Sequence, residues 1–204
     1  MFIIGVLASG KGSNLQAIIN HINSGFLNVK IGVVISDNPD AYALKIARDW
    51  HIPSEYIEPG KYKTFLEKNQ EKKYVECLKK HGVELVCLAG FMRVIKKEFF
   101  NAYRGKIINI HPSLLPSFRG LQAWKQALDY GVRFTGCTVH FVEEEIDTGP
   151  IILQAVVPVL DDDTPKSLHQ RIQEKEHIIY PLAIKLISEN KIFIKGRRVI
   201  INEN

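Results

Sequence analysis

The sequence predicts an α/β fold with a largely parallel sheet. Short apolar runs alternate with amphipathic segments through the first half of the chain, as strands alternate with helices in βαβ units. The composition, 46% hydrophobic and 24% charged, is that of an ordinary folded protein, and 204 residues fit one domain. After about residue 108 the alternation changes to a strand pair and a long helix. We therefore expect one domain, 1–204, with an N-terminal lobe at about 1–108 and a C-terminal lobe at about 109–204.

The elements of the N-terminal lobe are predicted from apolar runs and from the residues that interrupt them. A Gly- and Ser-rich stretch after Ala8 ends the first strand and opens a helix. Gly90 ends the most apolar strand. We expect strands at about Phe2–Ala8, Lys30–Ser36, Glu55–Ile57 and Glu84–Ala89, and helices at about Ser13–His21, Ala41–Trp50 and Lys63–Lys80.

The elements of the C-terminal lobe are predicted from its proline, glycine and threonine boundaries. Pro112 favours an extended residue before it and so ends a strand, and Gly131 ends a helix that begins after Leu121. Thr164 caps a final long helix that has Pro165 in its first turn. We expect strands at Lys106–Ile110, Thr138–Val142 and Ile151–Val159, and a hairpin within Ile192–Ile201 about Gly196.

The charge of the chain predicts neither a nucleic-acid nor a membrane partner. The net charge of +5 suits anionic ligands, but the basic residues are spread out, and those of 68–80 alternate with glutamates as on a solvated helix. Nucleic-acid binding needs a basic face with aromatic or groove-reading elements, which the sequence does not suggest. The apolar run Met1–Ala8 is too short to span a bilayer and lacks the basic start of a signal peptide. We expect a cytoplasmic protein.

The three cysteines do not predict a disulfide framework or a zinc site. Cys77, Cys87 and Cys137 are an odd number, show no CxxC spacing and have no histidine cluster beside them in the sequence. We therefore expect buried or idle thiols in a reducing compartment.

A glycine-rich loop between the first strand and the first helix is a candidate phosphate site. The N–H groups at a helix start have no helical partner and carry the positive end of the dipole, and glycine lets the backbone approach an anion. Gly12 stands where a Walker A loop has Ser or Thr, and Leu15 stands where a dinucleotide loop has its third glycine. The loop therefore indicates a monophosphate, with a purely structural turn as the alternative.

Asn109 and His111 form a polar pair at the end of a predicted strand. Strand alternation points both to the same side, with Ile110 on the other. Ligands collect at strand ends in open α/β sheets, and an unpartnered polar pair would be costly to bury. A lone histidine is more often structural than catalytic, but the pair favours a functional interpretation.

The acidic turn Glu143–Asp147 has two interpretations. A run of acids is usually a solvated loop, although the Asp-Thr-Gly-Pro that ends this one is tighter than a charge run needs. If Asp147 lies near His111, its carboxylate would raise the pKa of the imidazole and orient the ring. The residues alone do not decide whether the two meet.

Taken together, these motifs resemble the phosphoribosylglycinamide formyltransferases, a family of folate-dependent formyltransferases in purine synthesis. The spacing is kept over roughly residues 1 to 190. The matching segments are Ser9–Gln16, Leu88–Val94, Asn109–Pro116, Thr138–Val142, Asp147–Gln154 and Glu176–Pro181.

The resemblance implies a fold and a set of site residues. The fold is a Rossmann-like open, mostly parallel twisted sheet flanked by helices. By resemblance, Asn109, His111 and Asp147 are catalytic; Gly12, Ser13 and Asn14 bind the substrate phosphate; Gln173 and Glu176 lie at its glycinamide end; and the pterin of 10-formyltetrahydrofolate is bound by Met92, Arg93, Val94, Ile95, Asn109, Glu143, Glu144, Glu145, Ile146 and Asp147. The arginine that often meets the folate tail in relatives has no assigned counterpart, with Lys63 and Lys68 as candidates.

The reaction implied is formyl transfer from 10-formyltetrahydrofolate to the amine of glycinamide ribonucleotide, without a metal. Asn109 and a protonated His111 would stabilise the oxyanion, and Asp147 would keep His111 protonated or oriented and help to move the amine proton. The partners expected are these small molecules, with the chain a monomer or homodimer.

Two classes of alternative stay open at this point. Methionyl-tRNA formyltransferase shares the Asn-His-Pro pattern but carries a further C-terminal barrel, and a formyltetrahydrofolate hydrolase carries a further N-terminal domain. This chain has residues for neither. A non-catalytic phosphate-binding module would need the glycine loop but not Asn109, His111 and Asp147.

Overall fold

The structure, a computed structural model, describes residues 1–202 of the chain. Within these residues nine strands and six helices follow one another in the order expected of an α/β protein. Four of the strand pairs are parallel, which confirms the predicted fold class. The chain divides into two compact units, Met1–Ile108 and a second that begins at Asn109.

The first unit is a parallel sheet flanked by helices. Its elements are β1 Phe2–Leu7, α1 Ser13–Asn23, β2 Val29–Ser36, α2 Tyr42–Asp49, β3 Ser54–Tyr56, α3 Lys68–Lys80, β4 Leu85–Leu88 and α4 Lys97–Tyr103. The strand order is β3-β2-β1-β4. The centres of β1, β2 and β4 are buried because these strands are runs of apolar residues, whereas the short β3 is partly exposed. Gly5 allows close packing against a helix, since a β-carbon there would lie 2.5 Å from Leu78 Cδ2.

One predicted boundary in the first unit was wrong, and one helix was missed. Helix α3 begins at Lys68 instead of Lys63, because the backbone before it is extended: Val94 donates to the Thr64 carbonyl over 2.9 Å, and Leu66 donates to the Val94 carbonyl. Helix α4 was not predicted, since seven residues show too little periodicity. The buried Glu71 carboxylate accepts the N–H groups of Lys96 and Glu98 at its start.

The second unit combines antiparallel and parallel strand pairs. Its elements are β5 Ile107–His111, which starts at the end of the first unit, α5 Ala123–Tyr130, β6 Phe134–Phe141, β7 Ile151–Pro158, α6 Pro165–Ser188, β8 Ile192–Lys195 and β9 Arg198–Ile201. Strands β6 and β7 are antiparallel, β7 pairs with β9 in parallel, and β8 and β9 form an antiparallel hairpin. Helix α6 packs against β6 and β7.

The boundaries predicted from special residues are confirmed in this unit. Gly131 ends α5 in the left-handed conformation, and Gly196 turns the hairpin with a positive φ. Thr164 and Ser167 form a reciprocal capping box at the start of α6. Strand β6 begins four residues earlier than predicted, because Phe134 and its successors pair with β7.

The cysteine prediction is confirmed in part. All three cysteines are buried, and none forms a disulfide in the part of the chain that the structure describes. None of the helices in residues 1–202 is long and apolar enough to cross a membrane.

Candidate active site

The end of β5 carries the two polar residues that the sequence singled out. Asn109 is half-buried and His111 is 4% exposed, while their neighbours Ile108 and Ile110 are buried among apolar residues. Alternation along the strand places Asn109 and His111 on one face. The polar pair is therefore presented together, at the carboxyl end of the strand.

His111 is held by partners at both ring nitrogens. Its Nε2 lies 2.9 Å from the Phe118 carbonyl oxygen, which can only accept, so Nε2 carries a proton and donates it. Its Nδ1 lies 3.3 Å from Asp147 Oδ2. The structure thus brings His111 and Asp147 together, and the side chains are 5% and 9% exposed. Each ring nitrogen of His111 therefore faces a protein oxygen.

A tight turn draws Asp147 inward while the rest of the acidic run stays outside. Asp147 adopts a φ of 54°, in the left-handed region, and its Oδ2 accepts the Gly120 N–H over 2.9 Å. Gly149 lies two residues after Asp147. A β-carbon at this position would lie 1.8 Å from the Phe141 carbonyl oxygen, so only glycine fits. The four preceding residues, Glu143, Glu144, Glu145 and Ile146, are all exposed.

A second histidine, His140 on β6, completes the cluster and was missed by sequence reasoning. Its Nδ1 donates to the Phe141 carbonyl over 2.8 Å, so its Nε2 accepts the Asn109 Nδ2 amide hydrogen at 3.2 Å. That contact fixes which way the Asn109 amide points. His140 Nε2 also lies 3.6 Å from Asp147 Oδ1. The sequence did contain a clue, since His140 and Thr138 are two residues apart and so share one face of the strand.

The pKa values in the cluster favour an ionised carboxylate beside a neutral imidazole. Burial lowers the pKa of His111, and the Asp147 carboxylate and Phe118 carbonyl offset only part of that effect. Asp147 does raise the pKa of His111, as predicted, but burial outweighs this effect. The net shift is therefore downward and does not favour the protonated imidazole that the resemblance implied. For Asp147, burial acts to raise the pKa, but His140, His111 and the Gly120 N–H together lower it.

The loop after β5 is anchored to β6 by a buried hydroxyl and to β7 by an amide side chain. Thr138 Oγ1 donates to the Ser113 carbonyl over 2.7 Å and accepts the Leu115 N–H over 3.1 Å. Gln154 Nε2 donates to both the Leu115 carbonyl and Thr138 Oγ1, each over 3.0 Å. These bonds hold the loop that places the Phe118 carbonyl against His111.

The predicted phosphate loop lies in the first unit, at the start of α1. Gly12 caps that helix in the left-handed conformation, with Ser13 half-buried and Asn14 buried behind it. The first helical bond runs from the Gln16 N–H to the Gly12 carbonyl, so the preceding N–H groups are outside the helical ladder. A β-carbon at Gly12 would lie 2.9 Å from Ala43 Cα, so the backbone there requires glycine.

The segment Met92–Ile95, also in the first unit, has a mixed character. Met92 is 56% exposed, whereas Ile95 is buried. The Arg93 side chain is already engaged, with Nε donating to Asp37 Oδ2 over 2.6 Å and Nη1 to the Tyr62 carbonyl. Val94 forms the parallel bridge with Phe65. The side chains of Arg93 and Ile95 thus have structural roles, and Met92 offers the exposed side chain of the segment.

The two predicted residues of the last helix lie one turn apart on α6. Gln173 is half-buried and Glu176 is buried, and a spacing of three residues places them on the same helix face. The pKa of Cys137 is raised to about 12, mainly by burial and next by the nearby Glu176. Glu176 therefore lies near Cys137, among the buried residues of this unit.

The cluster has the parts needed for acyl transfer to an external nucleophile. Asn109 offers a neutral amide donor whose second N–H has no partner among residues 1–202. The His111–Asp147 pair can accept a proton at Nδ1, since a proton there would lie between the imidazole and the carboxylate. Such an arrangement stabilises a developing oxyanion and removes a proton without a nucleophilic side chain of its own.

Comparison with known proteins agrees on one family. Residues 3–184 match the family model described as "Formyl transferase". Phosphoribosylglycinamide formyltransferase of Bacillus subtilis is 43% identical over 180 residues, which cover 88% of this chain and 91% of that protein. The crystal structure of glycinamide ribonucleotide transformylase 1 from Symbiobacterium toebii superposes with a TM-score of 0.95 at 48% identity, covering 100% of this chain and 95% of the other.

The chain is also similar to part of much larger proteins. The trifunctional purine biosynthetic protein adenosine-3 of Chironomus tentans is 44% identical over 196 residues. That match covers 95% of this chain but only 14% of the insect protein. The chain therefore spans about a seventh of the length of that relative.

Proposed function

The chain belongs to the formyl transferase family, and on that premise we propose that it transfers the formyl group of 10-formyltetrahydrofolate to the amine of N1-(5-phospho-D-ribosyl)glycinamide. The products are the N-formyl ribonucleotide and tetrahydrofolate, in de novo purine synthesis. The observation that carries the proposal is the contact of His111 with Asp147 at 3.3 Å beside the Asn109 amide. Relatives named for this activity, matched over nine-tenths of their length, support the choice of substrates.

The oxyanion is stabilised mainly by Asn109. Attack of the glycinamide nitrogen on the formyl carbon makes a C–N bond and leaves negative charge on the formyl oxygen. The amide N–H of Asn109 that His140 does not use donates to that oxygen. One such donor in a water-excluded site is generally worth about 3–4 kcal/mol of barrier. His140 keeps the amide in the donating orientation.

The His111–Asp147 pair moves the proton. Attack makes the amine nitrogen positively charged and acidic, and its proton passes, directly or through water, to Nδ1 of His111 beside the Asp147 carboxylate. The proton is then delivered to N10 of the folate as the C–N10 bond breaks, so the pair returns to its starting state. A lowered pKa at His111 suits this task, because a neutral imidazole is ready to accept.

We assign the binding residues as follows, as part of the same proposal. The ribonucleotide phosphate binds at the helix start formed by Gly12, Ser13 and Asn14, where N–H groups and the helix dipole favour an anion. Gln173 and Glu176 bind the glycinamide end. The pterin is bound by residues 92–95, Asn109 and residues 143–147.

We also propose the domain organisation, the location and the partners of the protein. The domain is 1–204, with a phosphate-binding lobe at about 1–108 and a folate and catalytic lobe at about 109–204. The protein is cytoplasmic, a monomer or homodimer, and acts on small molecules without a nucleic acid, a membrane or a metal in the reaction.

An acceptor assay tests the proposal. Purified protein is given 10-formyltetrahydrofolate with glycinamide ribonucleotide, with methionyl-tRNA, or with water alone, and tetrahydrofolate release is followed. We expect turnover with glycinamide ribonucleotide at least a hundredfold above the other two. Preference for methionyl-tRNA, or equal release with water alone, contradicts the substrate assignment. Ligand binding without release in any arm favours a binding module.

A further inference from the structure

A cluster of three potential metal ligands lies in the first unit, and the proposed reaction does not use it. Glu55 of β3, Cys77 of α3 and His81, the residue that caps α3, each offer one ligand atom, and these atoms lie within 4.8 Å of one another. Within residues 1–202 no other group of three such side chains meets this distance. We propose that Glu55, Cys77 and His81 bind a zinc ion.

The helix presents two of the ligands together. Cys77 and His81 are four residues apart, so they lie one turn apart on the same face of α3. The His81 N–H bonds to the Cys77 carbonyl over 3.2 Å, which continues the helical geometry to the histidine. Glu55 approaches from the neighbouring strand. This long-range third ligand explains why the sequence alone gave no reason to expect a metal site.

The histidine nitrogen that would bind the ion has no hydrogen bond in the described structure. His81 Nε2 is buried and lacks any hydrogen-bond partner among residues 1–202. The nearest carboxylate oxygen, Glu55 Oε1, is 3.8 Å away, too far for a hydrogen bond. A buried ring nitrogen without a partner is unfavourable, and an ion between it and the carboxylate would satisfy both.

The spacing of the ligand atoms suits a tetrahedral ion after a small adjustment. Zinc bonds of about 2.0–2.3 Å place neighbouring ligand atoms roughly 3.3–3.7 Å apart in a tetrahedron. The His81–Glu55 distance of 3.8 Å is already close to this value, and the longest separation in the cluster is no more than 4.8 Å. A rotation of the half-exposed Glu55 side chain would close the gap.

The ligand set selects zinc over the hard cations. A thiolate and an imidazole are borderline or soft ligands, whereas magnesium and calcium prefer sites made only of oxygen. Three protein ligands leave a fourth position open. Glu55 and Cys77 also line a cavity of about 400 Å³, through which an ion and a bound water can reach the site.

The charge around the cavity permits a cation. Its lining includes Glu55, Glu58 and Glu76, against two lysines, Lys73 and Lys80, so the acidic groups outnumber the basic ones. The Cys77 sulfur and a Glu55 carboxylate oxygen lie within 4.8 Å of each other and of the His81 nitrogen, so one ion could contact all three.

The test uses the full-length chain, stripped of metal with a chelator. Zinc is titrated in competition with a chromophoric chelator, and cobalt is titrated separately, because a cobalt–thiolate bond gives a charge-transfer absorption band. We expect one zinc per chain, a charge-transfer band with cobalt, and no competition by magnesium. Cys77→Ser should remove the band, and Cys77→Ser, His81→Gln and Glu55→Gln should each weaken zinc binding at least tenfold.

Matched controls separate this site from binding elsewhere. Cys87→Ala and His51→Gln change a buried cysteine and an exposed histidine outside the cluster, and both should keep the zinc affinity and the band. His81 and Glu55 are partly exposed, so their variants remain informative even if Cys77→Ser fails to fold. The proposal is overturned if the wild-type chain binds less than half an equivalent of zinc. It is equally overturned if the His81→Gln and Glu55→Gln variants bind zinc as the wild type does.

Discussion

Asp147 shows how a single side chain can be separated from its neighbours by backbone geometry. Its sequence context is an ordinary acidic turn, and three adjacent glutamates are indeed exposed. A left-handed residue and the close backbone approach at Gly149 turn only this carboxylate toward the two histidines. The sequence predicted Asn109 and His111 as a pair because alternation is local. It could not predict the contact to Asp147 or to His140, since both depend on which strands pair.

Replacing Asp147 with Asn should cut turnover while leaving the fold intact. The amide keeps an oxygen that can accept the Gly120 N–H, but it carries no negative charge to stabilise the proton that His111 takes up during the reaction. General acid–base groups contribute about 10²–10⁴-fold, so we expect kcat to fall by that range. Steady-state kinetics measure this, with thermal melting to check the fold.

Asp129→Asn is the control for that substitution. Asp129 is an exposed acid on α5 that pairs with Lys125, and its removal should leave kcat within about twofold of the wild type. An Asp147→Asn enzyme with a kcat close to that of the control would show that the carboxylate has no part in proton transfer.

At the scale of elements, boundaries set by special residues were predictable and boundaries set by pairing were not. Gly131, Thr164 and Gly196 determine local backbone conformations, so the ends of α5, α6 and the hairpin followed from the sequence. The starts of α3 and β6 depend on partners distant in sequence, and both predictions missed by four or five residues.

Thr138→Val should destabilise the protein, because the hydroxyl of Thr138 is a junction between β6 and the loop after β5. Valine has nearly the same shape but leaves the Ser113 carbonyl and the Leu115 N–H short of a partner. Burying unsatisfied groups costs about 1–3 kcal/mol, and we expect a loss of that size in the free energy of unfolding. Urea denaturation provides the measurement.

Thr135→Val is a matched control on the same strand. The Thr135 hydroxyl is buried with no hydrogen-bond partner among residues 1–202, so its replacement removes a desolvated polar group and should be neutral or stabilising. Equal losses from the two threonines would mean that the hydroxyl bonds of Thr138 contribute nothing.

Gly149→Ala should disturb the turn that positions Asp147. The added β-carbon would lie 1.8 Å from the Phe141 carbonyl oxygen, so the backbone between β6 and β7 must separate. We expect a loss of at least about 1–3 kcal/mol in unfolding free energy, together with reduced kcat. Chemical denaturation and kinetics on the same preparation test both effects. Gly10→Ala, where a β-carbon meets nothing within 4 Å, should retain the stability of the wild type.

At the scale of the whole molecule, the buried cluster makes stability depend on pH. His111 has a lowered pKa in the folded state, so below its unfolded value of 6.5 the unfolded chain takes up a proton that the folded chain resists. The stabilising contribution is complete above pH 6.5 and is lost as the pH falls. The pKa of Asp147 is also lowered, so its contribution to the free energy of unfolding is lost only at more acidic pH, below 3.8.

The unfolding free energy should therefore fall between pH 7 and pH 5, and less steeply in His111→Gln. Guanidinium denaturation of both proteins across this interval measures the difference of slopes, which isolates His111 from the other histidines. Glu71 acts in the opposite direction, since burial raises its pKa and its contribution is lost as the pH rises above 4.5. If the unfolding free energies of the wild type and His111→Gln depend on pH in the same way, the lowered pKa of His111 is contradicted.

The burial of the cysteines makes the protein convenient for site-specific labelling. Burial, with a nearby glutamate in each case, raises the pKa of Cys77 and of Cys137 to about 12, and Cys87 is fully enclosed. In the metal-free protein near neutral pH, the thiolate fraction of these two cysteines is then roughly one part in 10⁵, and it is the thiolate that attacks alkylating reagents. A cysteine introduced at the exposed hairpin residue Lys195 would react far faster than all three. The native chain can thus carry a single fluorophore or spin label without prior removal of its own cysteines.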